Sequence, residues 1–132
     1  MGIVQKTAIV AGAMLISATS AQAQDRRANA ELTSEMWALA GVCSQYGTYY
    51  SVRHDALADW LNIAAADPAI GDGLSARKDA KVAQISALAA EVRGTSSARE
   101  RDQRFDEMSS ALMTRCRRLT NDPVAREFFL PR

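Results

Sequence analysis

From residue 30 onward, apolar side chains recur at steps of three and four, the spacing that lines one side of an α-helix. Leu32, Met36, Leu39, Cys43 and Tyr46 form the first such stripe and predict a helix over 30–46. Gly47 stands where a left-handed residue would end it. Tyr50 continues the stripe, however, so this helix and the next are either separate or one long, kinked helix. Leu57, Trp60, Leu61 and Ala64 predict a second helix over 52–66, with Ser51 as its N-cap. It stops at Asp67-Pro68, because the residue before a proline avoids helical dihedrals. Pro68 to Gly73 carries a proline and two glycines and predicts a loop.

Val82, Ile85, Leu88, Ala89 and Val92 predict a third helix over 75–93. Gly94 is its stop residue, and Lys78, Asp79 and Lys81 are assigned to the solvent side. The fourth stripe is Phe105, Met108, Leu112, Cys116 and Leu119. Its helix begins with capping-box spacing: Ser97 and Glu100 stand three residues apart, so each side chain can satisfy the other's backbone N–H. Asn121-Asp122-Pro123 ends it, leaving a short final turn with Phe128, Phe129 and Leu130. Period-two alternation is absent, so strands are not expected. The pattern as a whole predicts an all-α fold, a small antiparallel bundle of about four helices.

The first residues follow a different pattern. Met1 to Lys6 is a short positive start, Thr7 to Ala18 is an apolar run, and Ala21-Gln22-Ala23 offers small residues at a cleavage spacing. Together they predict a signal peptide over 1–23, cut after Ala23, and a single helical domain over 24–132. Ser17, Thr19, Ser20 and Gln22 interrupt the run, which falls short of the roughly 20 apolar residues of a membrane span. No stable span is therefore expected after cleavage, and the first cysteine, Cys43, is too far along for lipid attachment. The address this implies is the periplasm or the exterior, where isolated cysteine pairs are oxidised. Cys43 and Cys116 both lie on apolar stripes, which predicts one disulfide joining the first and fourth helices. By chain entropy, a bridge across 73 residues contributes about 4 kcal/mol. That is a large share of the roughly 5–15 kcal/mol that keeps a domain folded.

The chain has 16 basic and 15 acidic residues, and removing Lys6 with the signal leaves the two signs equal. Such a balance gives no basis for nucleic-acid binding or attraction to an anionic membrane.

Candidate chemistry is sparse. His54 is the single histidine, with Ser51 and Asp55 nearby, but neighbours within one helical turn point in different directions, and no glycine-rich elbow accompanies them. One histidine and two bonded cysteines do not make a metal site, and no Cys-x-x-Cys-His haem motif is present. No cofactor is called for. Asp102, Asp106 and Glu107 are interleaved with Arg99, Arg101 and Arg104, the pattern of a salt-bridged, solvated face.

Two features remain as contact candidates. Trp37, Tyr46, Tyr49, Tyr50 and Trp60 crowd one segment, and Tyr49 lies off the stripe, so Tyr49 and Tyr50 are the first choice for a partner surface. Arg115, Arg117 and Arg118 at the end of the fourth helix are the second; they also suit its negative C-terminal pole. The expectation is an exported, non-catalytic protein that binds another envelope or secreted protein, in the manner of an inhibitor, immunity protein, chaperone or accessory subunit. A small-molecule or cofactor binder using the bundle interior is the alternative. An enzyme ranks last, because no nucleophile, base and orienting group can be placed together.

Overall fold

The computed structural model describes residues 29–132; the signal peptide expected over 1–23 lies outside the described residues. The chain is mostly helical. Helix α1 covers 29–45. A turn and a three-residue strand, β1 (Tyr50–Val52), separate it from α2 (His54–Ala66), so the first two predicted helices are distinct. A one-turn helix, α3 (Pro68–Gly71), leads into α4 (Leu74–Gly94). Helix α5 (Ala98–Asn121) is the longest described, at 24 residues or about 36 Å. A 3-10 turn (Ala125–Glu127) and a second strand, β2 (Phe129–Pro131), follow it.

Helix α1 is the central element. Its predicted stripe is buried at Met36, Leu39 and Cys43 and half-buried at Leu32 and Tyr46. Ala30, Thr33, Ser34 and Ala38 are buried as well, so α1 hides far more than one face. The Ser34 hydroxyl donates to the Glu31 carbonyl at 2.7 Å, which lets a polar side chain sit inside the fold at little cost. Leu112, Cys116 and Leu119 of α5 meet Met36, Leu39 and Cys43 in one core, joined by Tyr50, Leu57, Ala125, Phe128 and Phe129. The predicted disulfide between Cys43 and Cys116 lies inside this core, with both cysteines fully buried and Cα atoms 5.7 Å apart.

Several local expectations need correction. The strands were not expected, yet β1 and β2 pair antiparallel, Tyr50 with Pro131, Ser51 with Leu130 and Val52 with Phe129. Backbone bonds from Arg53 to the Phe128 carbonyl (2.8 Å) and from Arg132 to the Tyr49 carbonyl (2.9 Å) extend the ladder at both ends. A three-residue strand is too short to show alternation, and its partner lies almost eighty residues away. Ser51 is consequently part of β1 rather than an N-cap; Arg53 occupies that position and makes no side-chain cap. Gly47 and Gly94 are not left-handed; among the described residues only Gly73 is, at φ 75°. Helix α4 is instead closed by Thr95, whose hydroxyl donates to the Glu91 carbonyl at 2.8 Å. The predicted 68–73 loop contains a full helical turn, capped by Asp67, whose carboxylate accepts from the Ala69 N–H at 3.0 Å. Ser97 caps α5 through the Glu100 N–H at 3.4 Å, one half of the predicted capping box.

Candidate functional site

Polar chemistry concentrates where α4 crosses α1 and α5. Glu35 on α1 receives both the Nε–H and an Nη–H of Arg115 from α5, at 2.7 and 2.8 Å. Planar, two-pronged pairing of this kind is the strongest form of a carboxylate–guanidinium contact. From α4, Lys81 reaches Glu35 at 3.2 Å and also hydrogen-bonds Glu31, one helical turn earlier. Arg77 stands 3.6 Å from Glu31 at the exposed edge. Two carboxylates of α1 thus hold three cations from two other helices.

Burial and charge oppose each other here. Burial pushes the Glu35 carboxyl up, but the hydrogen bonds and positive charges of Arg115 and Lys81 outweigh it and hold it below its ordinary 4.5. Burial likewise pushes the Lys81 ammonium down, and its bonds to Glu31 and Glu35 more than reverse that, raising it above 10.5. The hydrogen bond to Glu35 raises the Arg115 guanidinium against the effect of its burial.

This arrangement revises the expected location of two groups. Lys78 and Lys81 do not decorate the outer side of α4. Lys81 is tucked inward with its side chain 17% exposed, and the Lys78 ammonium sits 4.6 Å from the centre of the Trp37 ring, in cation–π contact. Arg115 is not a free cation at a helix end but the partner of Glu35; Arg117 and Arg118 are exposed. Arg115 and Arg118 line a cleft of about 600 Å³ between α1 and α5, with Glu31, Leu32, Glu35, Leu119 and Asp122. Periodicity could not reveal this cluster, because a lysine at an inward position reads as a break in the stripe. The i, i+4 spacing of Glu31 and Glu35, and of Arg77 and Lys81, is the signal that could have found it.

The aromatic candidates divide. Tyr50 is 7% exposed, and its hydroxyl donates to the Met113 carbonyl at 3.2 Å, so it is core rather than a contact residue. Being in β1 turns its ring toward α5. Tyr49 points outward and is 55% exposed. It belongs to the same turn as Tyr46, whose carbonyl accepts the Tyr49 N–H at 2.9 Å. Tyr46 in turn lines an apolar groove of about 330 Å³ with Val42, Ile85, Phe105, Met108 and Leu112. Phe105, predicted as core, is 52% exposed on its rim, because α5 runs on past the end of α1 and nothing described covers that turn.

His54 pairs with Ser44, not with Ser51 or Asp55. The Ser44 Oγ and the His54 Nε2 are 2.6 Å apart, and the Ser44 hydroxyl is also within 3.0 Å of the Ala40 carbonyl. Both residues are exposed, at the junction of α1 and α2. With the hydroxyl proton directed to Ala40, the imidazole N–H completes the set, which makes the pair a satisfied helix-to-helix tie. Among the described residues no three His, Cys, Asp or Glu side chains gather in a metal-binding group, and no helix is long and apolar enough to cross a membrane.

Neither family models, nor curated proteins, nor solved structures yield a match to this chain.

Proposed function

We propose that this chain is an exported, non-catalytic protein of the periplasm or exterior that binds another protein. The observation that carries this reading is the open groove of Val42, Tyr46, Ile85, Phe105 and Met108, with exposed Tyr49 in the turn that Tyr46 begins. Single exposed apolar residues are ordinary, but a concave apolar surface with aromatic residues at its edge suits a protein contact. Arg117 and Arg118 are the second candidate contact, and Tyr50 and Arg115 support the fold behind the two surfaces. A buried disulfide favours the oxidising address that the signal pattern suggests.

The test uses the disulfide-bonded protein as bait in an extract of its native envelope, with Tyr49→Ala and Phe105→Ala beside the wild type. Both side chains are more than half exposed, so each change is expected to cost no more than about 0.5 kcal/mol of stability. Each should lower capture of a specific partner about fivefold or more, the mark of an interface anchor worth at least about 1 kcal/mol. Equal capture by all three proteins would move the working surface away from the groove. Intact mass of the exported protein tests the address: a species still carrying residues 1–23 would overturn it.

A further inference from the structure

Helix α4 is attached to the rest of the molecule unlike any other long helix described. Of its 21 residues only Leu74 is buried. Its inward row, Lys78, Lys81, Ile85, Leu88 and Val92, is only half-buried. After the Leu74 anchor, the first two members of that row are lysines, so this half of α4 meets α1 through charge. Helices α1 and α5, by contrast, share a fully buried apolar core and a disulfide. We propose that Glu35 of α1, Lys81 of α4 and Arg115 of α5 form a latch that acid releases, freeing the first half of α4 while the disulfide-linked α1–α5 core stays folded.

Each element packed at this place presents charge to Glu35. Helix α4 presents Lys81 directly and Arg77 by way of Glu31; α5 presents Arg115, with Arg118 and Asp122 in the same cleft. Lys78 and its neighbour Asp79, 2.9 Å apart, complete the charged groups at this end of α4. Protonating Glu35 removes the counter-charge that Lys81 and Arg115 share. Lys81 and Arg115, drawn to one carboxylate and less than a quarter exposed, are then like charges held together with little access to water. A buried charge that has lost its partner is strongly unfavourable, and the available relief is to move outward and hydrate. Lys81 can do this because α4 bears no other firm anchor near it; Arg115 cannot, because α5 is pinned by Cys116. Gly73, in the left-handed region just before Leu74, is the joint.

Sign and window agree with this. Because Glu35 is held below 4.5 in the folded protein, its stabilisation is fully present above that value and fades as pH falls through its lowered one. Lys81, raised above 10.5, stays charged throughout that range. Opening takes Lys78 off the ring of Trp37, which is already 38% exposed, and widens the small cavity that Trp37 shares with Leu61 and Leu74.

Hydrogen exchange resolved by peptide, on the disulfide-bonded protein between about pH 7 and pH 3 and corrected for intrinsic rates, tests the latch. Local opening is read as loss of protection confined to one element. Amides in the first half of α4 are expected to lose protection about tenfold or more on acidification, while those of α1 and α5 keep theirs. Glu35→Gln should open α4 at neutral pH. Lys81→Met should keep it closed in acid, since the cation that must escape is gone. Protection of α4 that persists to pH 3 would overturn the proposal. So would its loss in step with α1 and α5, or a Lys81→Met protein that opens as readily as the wild type.

Discussion

Gly71 closes the corner where α2 gives way to α3, and its role is steric rather than conformational. A Cβ there would fall well inside van der Waals contact of the Ala65 carbonyl oxygen, a backbone atom that cannot swing aside. Gly73, two residues on, is needed for a different reason: its φ of 75° is strained for any side chain. Gly71→Ala is therefore expected to destabilise the protein by about 1–3 kcal/mol, the usual range for forced overpacking. Gly94→Ala, where a Cβ meets nothing, should be neutral or slightly favourable in a helix. Thermal melts of the two variants check the contrast, and equal melting would show that the corner relaxes freely. In the sequence both residues read only as punctuation. Proline and glycine announce a turn, but which glycine is crowded depends on a carbonyl six residues away.

Among the elements, those predicted by strong periodicity are in place, and they differ in how much they hold. The α1 and α5 stripes were legible because large residues recur at the right steps, and Met36, Leu39, Cys43, Leu112, Cys116 and Leu119 among them are buried. The α4 stripe was legible too, yet Val82 on it is exposed and the rest is half-buried. The C-terminal segment, a short turn by its sequence, behaves in the opposite way. Phe128 and Phe129 are buried, Phe128 stacks at a tilt on Trp60 with centroids 5.8 Å apart, and β2 pairs with β1. Phe129→Ala is expected to cost about 3–5 kcal/mol, as for a fully buried aromatic residue. Val82→Ala on α4 should stay within about 0.5 kcal/mol. Denaturant unfolding of both checks the ranking; similar midpoints would mean that the C-terminal segment does not close the core.

At the scale of the whole molecule, the disulfide and the ion cluster do different work. The bridge links α1 to α5 inside the core and restricts the unfolded chain across 73 residues. Replacing both cysteines with alanine should lower stability by about 2–5 kcal/mol. A double variant that melts with the wild type would show that packing alone fixes the α1–α5 contact. In the folded protein, neither sulfur should react with a thiol reagent after mild reductant, since both are out of contact with solvent. The ion cluster adds no comparable restraint; it places α4 and makes its attachment depend on pH.

The helices, their principal inward faces, the cysteine pair and the exposure of Tyr49 follow from the order of residues, because each rests on spacing along a single helix or on the pairing of the two cysteines. The tertiary structure alone decided the rest. The β1–β2 pairing, the inward course of Lys81, the pairing of Arg115 with Glu35, the burial of Tyr50 and the bare rim at Phe105 all depend on contacts between residues far apart in the chain. A polar side chain has no preferred face until an opposite charge on another helix supplies one, and an apolar side chain is core only where a neighbouring element extends far enough to cover it.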